Sequence, residues 1–90
     1  MTPAELDDTL DAMALEGASD PDKMPGLITI HTDDWVGAFD AVRAPCKALS
    51  DGMRYRGIVV QVGSQKVTAV IPRGKASGRG APYRDLLPRP

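Results

Sequence analysis

The chain has very few of the residues that usually mark disulfide-bonded, metal-binding or catalytic proteins. Its 90 residues include one cysteine, one histidine, one tryptophan, one phenylalanine and two tyrosines. A single cysteine cannot form an internal disulfide, which is typical of proteins from reducing compartments. The sequence also contains no apolar run long enough to span a bilayer and no basic and apolar leader pattern. We therefore expect a cytoplasmic protein that makes no membrane contact.

The two residues with the most reactive side chains, His31 and Cys46, give no support for a catalytic or metal site. No second histidine exists, and no cysteine or carboxylate stands at a recognised metal-ligand spacing from His31. Cys46 falls on the apolar stripe of a predicted helix, where a free cysteine usually packs as a small hydrophobe. The chain also lacks the EF-hand spacing and the P-loop glycine motif. We therefore expect no enzymatic activity, no metal, no cofactor and no small-molecule substrate.

The composition indicates one small folded domain rather than a disordered chain. Hydrophobic residues make up 42% of the sequence, and a chain of this length forms a single domain with a small core. Because aromatic residues are scarce, that core must consist of valine, isoleucine, leucine, methionine and alanine. The abundance of alanine, glycine, arginine, aspartate and proline, without any asparagine, is typical of a GC-rich coding genome. This composition points to a bacterial or phage protein.

Charge is divided unequally between the two halves of the chain. Residues 1–40 contain ten carboxylates and one lysine, which gives −9, whereas residues 41–90 contain ten cations and two carboxylates, which gives +8. Three explanations are open. The asymmetry can provide a basic surface for an anionic partner, a head-to-tail contact between copies, or two halves that neutralise each other in the fold.

Residues 55–72 have the clearest local pattern in the sequence. Two segments rich in β-branched residues flank a break at Gly63, which predicts a β-hairpin. Its turn contains either two residues, Gly63 and Ser64, or four, from Gly63 to Lys66, and both registers place the same side chains on the same faces. The predicted core face carries Ile58, Val60, Val62, Val67, Ala69 and Ile71, and the opposite face includes Val59 and Val70.

Two helices are predicted before this hairpin. Thr2 can cap a helix over residues 3–15, and Gly17 is placed to end it. Residues 27–31 form a short apolar strand that leads directly into the second helix. The second helix has one apolar stripe that keeps its phase, so it should kink near Pro45 rather than end there. That stripe consists of Trp35, Phe39, Val42, Cys46 and Leu49.

These elements predict a small single α/β domain of the α+β type over residues 1–72, in the order α-β-α-β-β. A three-stranded sheet is covered by helices, and its strand-helix-strand unit should cross over in the right-handed sense. Residues 73–90 are predicted to form an extended tail that is basic and rich in glycine and proline. This shape occurs with many unrelated functions, so the fold alone does not indicate one.

The tail carries three apolar side chains that a purely solvated tail would not need. They can cover the sheet face that contains Val59 and Val70, or insert into a neighbouring subunit. We therefore expect a non-enzymatic protein-interaction or assembly module, such as a small accessory or structural protein of phage or mobile-element origin. The residues expected to bind a protein partner or a second copy are Val59, Val70, Tyr83, Leu86 and Leu87.

The alternative function is sequence-independent binding of nucleic acid through the basic hairpin edge and the tail. Cations placed between glycines resemble segments that follow a phosphate backbone without reading its sequence. The near-neutral total charge and the lack of an aromatic stacking set weigh against this alternative. Its candidate residues are Arg54, Arg56, Lys66, Arg73, Lys75 and Arg79.

Overall fold

The computed structural model describes residues 2–39, 47–49, 52–76 and 83–88 of the chain. Within these ranges, helical and strand elements alternate at first and are followed by a run of strands. The elements are α1 (Pro3–Gly17), a 3₁₀ turn (Pro21–Lys23), β1 (Pro25–His31), α2 (Thr32–Asp34), a π-helical continuation of α2 (Trp35–Phe39), β2 (Lys47–Leu49), β3 (Gly52–Tyr55), β4 (Ile58–Gly63), β5 (Ala69–Pro72) and α3 (Arg73–Ala76).

The strands form one mixed sheet in the order β2-β3-β4-β1-β5. β1 runs parallel to β4, with Ile28 opposite Val60, and antiparallel to β5, with Ile28 opposite Val70. β3 pairs antiparallel with both β2 and β4. The prediction of a small α+β domain is confirmed, and the parallel pair agrees with the predicted strand-helix-strand unit. Over the described residues the sheet has five strands, however, where the sequence predicted three.

The predicted hairpin over residues 55–72 is wrong, because its two strands do not pair with each other. β1 lies between β4 and β5, so a strand from earlier in the chain separates them. The connection between β4 and β5 is bonded to β1. The Thr29 hydroxyl donates to the Val67 carbonyl at 2.6 Å, and the His31 amide donates to the Thr68 hydroxyl at 3.0 Å. These bonds satisfy polar groups at the end of β1 and hold the connection across it.

The inserted strand changes which side chains reach the core. Ile58 and Val60 are buried in the core as predicted, and Val62 packs against it. Val67, which was predicted to face the core, is 77% exposed. It lies in the connection between β4 and β5 rather than on a strand, so the two-residue alternation does not apply to it.

The predicted pairing of Val59 with Val70 on one face is also wrong. Val60 and Val70 both lie opposite Ile28, and directly opposed residues share a face of the sheet. Val59 precedes Val60 along β4 and therefore points to the other face. Both valines are partly buried, and Val70 packs against the core.

The second predicted helix is shorter than its apolar stripe indicated. The described helical backbone reaches Phe39, whereas Leu49 belongs to β2 and pairs with β3, so its predicted helical position is wrong. Apolar periodicity is weak evidence for a helix where a neighbouring strand can form main-chain hydrogen bonds with the segment. The kink expected near Pro45, and the stripe positions Val42 and Cys46, lie outside the described residues.

α1 covers one face of the sheet and begins as predicted. The Thr2 hydroxyl accepts a hydrogen bond from the Glu5 amide at 3.2 Å, which caps the first turn. Leu6 and Leu10 are almost wholly buried in the core, and each contributes about 1.5–3 kcal/mol by leaving water. Gly17 is the last residue of the helix, and a Cβ there would lie 2.3 Å from the sulfur of Met24, so close packing explains this glycine.

Candidate interaction site at the Arg56 turn

A two-residue turn formed by Arg56 and Gly57 joins β3 to β4. Both residues have a positive φ, 52° and 89° respectively, as a tight hairpin turn of type I′ requires. Glycine adopts this backbone freely, but an arginine in it costs about 1–2 kcal/mol. Interactions of the Arg56 side chain must therefore offset the free-energy cost of its left-handed backbone.

The Arg56 guanidinium makes those interactions inside the protein, where its side chain is 4% exposed. Nη1 donates to Asp7 Oδ1 at 3.0 Å, and Nη2 donates to Asp11 Oδ1 at 2.7 Å. Asp7 and Asp11 lie one turn apart on α1, so the two arms of one guanidinium reach two carboxylates. The Tyr55 hydroxyl donates to the same Asp7 oxygen at 3.0 Å. This charged cluster fixes α1 to the turn.

The C-terminal segment, residues 83–88, lies against the same turn. The Leu87 amide donates to the Arg56 carbonyl at 2.9 Å, and Arg56 Nε donates to the Leu87 carbonyl at 2.8 Å. One main-chain bond and one guanidinium bond, in opposite directions, thus hold Leu87 against the turn. Leu86 packs against the core, whereas Leu87 is 53% exposed.

Gly57 allows the C-terminal segment to come this close. A Cβ at this position would lie 2.9 Å from the carbonyl oxygen of Asp85, a distance at which either the turn or the segment must move. Gly57 therefore serves the site in two ways: it takes the left-handed backbone of the turn, and it leaves room for the main chain of the segment.

The other end of the C-terminal segment is held by Arg73, the first residue of α3. Its guanidinium carbon lies 5.3 Å from the centre of the Tyr83 ring, within the range of a cation–π contact. Arg73 Nη2 donates to the Arg84 carbonyl at 2.7 Å and lies 4.0 Å from the Asp85 carboxylate. The Tyr83 hydroxyl donates to the Arg73 carbonyl at 3.4 Å. Two arginines thus hold the two ends of the segment.

The C-terminal segment is held by a small net free energy, because the entropy cost of ordering it is similar in size to the stabilisation from its contacts. Ordering its six residues costs about 6 kcal/mol in backbone entropy. The main-chain bond, the two bonds from the Arg56 and Arg73 guanidinium groups, the partial burial of Leu86 and the cation–π contact together contribute about 8 kcal/mol. Because the terms nearly cancel, the segment can leave its site without unfolding the domain.

The structure brings together three of the five residues predicted to bind a partner. Tyr83, Leu86 and Leu87 all belong to the docked C-terminal segment. Val70 and Leu86 pack against the same core cluster, so the segment approaches the sheet face of Val70. Val59 lies on the opposite face. The segment docks on its own domain at the Arg56 turn, and not over a face that carries both Val59 and Val70 as predicted.

The cations predicted to bind nucleic acid do not form one strip in the part of the chain that the structure describes. Arg54 is buried, and its Nη1 donates to the Gly57 carbonyl at 2.9 Å. Arg56 is buried between the carboxylates of α1. Arg73 holds the C-terminal segment and is 18% exposed. These three side chains make their contacts within the protein.

The remaining three cations of that set differ in their surroundings. Lys66 Nζ donates to Gln61 Oε1 at 3.2 Å and is partly buried, while Lys75 is exposed on α3. Arg79 lies outside the described residues. Lys75 is therefore the one described member of the set that lies on the open surface.

Sequence reasoning missed the role of Arg56, although two signals were present. Arg56 and Gly57 stand between two strand-like runs, as turn residues do, and Asp7 and Asp11 have the spacing that places two carboxylates on one face of a helix. The ion pairs join the acidic half of the chain to its basic half. Part of the charge asymmetry is thus neutralised within the fold, which is the third of the explanations left open.

His31 has a local structural contact at the start of α2. Its Nδ1 accepts a hydrogen bond from the Asp33 amide at 3.1 Å and lies 3.8 Å from the Asp33 carboxylate. Over the described ranges, no three metal-ligating side chains converge on one point. None of the helices in those ranges has both the length and the apolar character needed to cross a bilayer.

An open groove of about 440 Å³ lies away from the Arg56 turn, between the end of α1, the 3₁₀ turn and α3. Glu16 and Lys75 of opposite charge both line it, together with Met13.

Comparison of the chain with models of protein families, with curated proteins and with solved structures found no match.

Proposed function

We propose that this chain is a non-enzymatic protein-interaction and assembly module whose Arg56 site binds an extended peptide segment. The observation that carries the proposal is the two-way pairing of Leu87 with Arg56. A main-chain bond can form with any residue of an extended peptide, the Arg56 guanidinium adds a second bond, and side-chain anchors supply specificity. Leu86, which packs against the core, supplies the apolar anchor here.

The contacts of the docked segment define the chemistry of a suitable ligand. It is an extended segment with a leucine at the position of Leu86 and an aromatic ring three residues earlier, where Tyr83 meets Arg73. Its main chain must approach Gly57 closely, so a regular helix would not fit the site. Helix α1 borders the turn and carries the exposed carboxylates Glu5 and Asp8 besides those that bind Arg56, so it favours a ligand that carries cations.

Nucleic-acid binding is the alternative and has weaker support. Arg54 and Arg56 would have to give up buried hydrogen bonds before they could contact phosphates. Leaving Asp7 unpaired in the interior would add a desolvation cost to that exchange. Binding to duplex DNA that falls steeply with salt would favour this alternative over the peptide site.

A labelled peptide with the sequence of residues 81–90 tests the peptide site. We would measure its fluorescence anisotropy with the full chain carrying Leu86→Asp, which releases the chain's own segment and leaves the Arg56 site open. Adding Gly57→Asn should weaken peptide binding at least about tenfold, which corresponds to about 1.4 kcal/mol. The physical reason is that asparagine tolerates the left-handed backbone of the turn, while its Cβ displaces the peptide main chain.

Gly37→Asn is the matched control, because a Cβ at Gly37 would meet no atom within 4 Å. It should leave peptide binding unchanged. A peptide in which the residue equivalent to Leu86 is aspartate should not bind the open site. Equal affinity for the chains with and without Gly57→Asn would overturn the proposed peptide site.

A further inference from the structure

We infer that the partner of the Arg56 site is the C-terminal segment of a second copy of the same chain, so that two copies exchange residues 83–88. This inference rests on the proposed function and names its ligand. Exchange of an identical element between copies is a low-cost route to assembly, because the contacts that form are those already present within one copy.

The contacts of the segment are independent of which copy supplies it. Leu87 pairs with Arg56 through main-chain and guanidinium groups, Leu86 packs against the core, and Tyr83 stacks on Arg73. All of these contacts are made by residues 83–87 of the segment. A segment from another copy would therefore form the same bonds, and only its covalent connection would differ.

Charge complementarity would attract the C-terminal end of a second copy to the Arg56 site. The segment itself is neutral, with Arg84 against Asp85, but Arg89 follows it directly, so residues 83–90 together carry a side-chain charge of +1. The site that receives it is bordered by α1, whose exposed residues include Glu5 and Asp8. Opposite charges on the two surfaces attract an incoming segment, and salt weakens this attraction between exposed groups.

The protein concentration determines whether exchange between copies can be detected. A short tether holds the chain's own segment at an effective concentration of about 1 mM, so the second copy competes only as the protein approaches that concentration. Unfolding the chain and refolding it at about 1 mM should therefore produce dimers, and refolding at micromolar concentration should produce monomers.

Two variants with complementary defects test the exchange. Gly57→Asn blocks the receiving site but keeps the segment, whereas Leu86→Asp spoils the segment but keeps the site. Each variant refolded alone at about 1 mM should stay at the monomer mass of 9.6 kDa in light scattering coupled to size-exclusion chromatography. The two variants refolded together should form a heterodimer, because one intact site and one intact segment meet. Gly37→Asn should dimerise like the unaltered chain.

The outcomes separate this inference from the proposed function. If the labelled peptide binds the open site but the unaltered chain stays monomeric after refolding, exchange is overturned and the peptide site stands. If the unaltered chain dimerises and both single variants dimerise equally well, the dimer uses another surface and exchange is again overturned. If the peptide does not bind either, the proposed function falls with the inference.

Discussion

Arg56 joins three separate parts of this molecule. It closes the turn between β3 and β4, binds two carboxylates of α1, and pairs with Leu87 of the C-terminal segment. Its partners on α1 lie 49 and 45 positions away in sequence. Local patterns mark the turn and the carboxylate pair separately but not the contact between them. Because arginine is usually a surface residue, sequence analysis placed Arg56 among the phosphate-binding candidates.

The two carboxylates that bind Arg56 should differ in their contribution to stability. Asp7 is 16% exposed and also accepts a bond from Tyr55, whereas Asp11 is 41% exposed and more strongly screened by water. We expect Asp7→Asn to lower the free energy of unfolding by about 2 kcal/mol and Asp11→Asn by less than about 1 kcal/mol. Urea unfolding of both variants measures these changes in the free energy of unfolding. Equal losses of stability would show that burial does not decide which carboxylate contributes more.

β1 is the strand that connects β5 to the rest of the sheet. It pairs with strands on both sides, and six of its seven residues are buried. Leu27 and Ile28 are adjacent in sequence and both wholly buried, so they occupy both faces of the strand. Such a continuous apolar run is typical of a central strand. The position of β1 between β4 and β5 accounts for the failure of the predicted hairpin.

Two alanine substitutions, at Ile28 and at Val67, test this strand order. Ile28→Ala should lower the free energy of unfolding by about 2–5 kcal/mol, because Ile28 is wholly buried between β4 and β5. Val67→Ala should change it by less than about 0.5 kcal/mol, because Val67 is exposed in the connection. Thermal or urea unfolding reports both values. Similar losses for the two variants would contradict the split of the hairpin by β1.

The elements that could be predicted from the sequence were those fixed by local chemistry. Thr2 and Pro3 mark the start of α1, and Ile58 and Val60 follow the alternation that places them in the core. Which strands are neighbours depends on contacts distant in sequence, and so does the pairing of Leu49 within β2. The candidate site was foreseen only in part: the apolar residues of the tail stood out, while the turn that receives them did not.

At the scale of the whole molecule, the domain consists of a sheet core and a C-terminal segment that is attached to it separately. The core is formed by α1 and the central strands, and the charged cluster at Arg56 ties the acidic half to the basic half. The segment adds contacts that nearly balance the entropy of ordering it. Two regions with such different free energies of opening should respond differently to one change at their boundary.

Gly57→Asn provides that change, and hydrogen exchange measures the response. The asparagine side chain displaces the segment, so the Leu87 amide loses its bond to Arg56 and should exchange at least about tenfold faster. Amides of β1, which is paired on both sides, should change by less than about threefold. Gly37→Asn should alter neither group. Equal acceleration at Leu87 and in β1 would mean that the segment and the core open together, and the segment could then not be exchanged between folded copies.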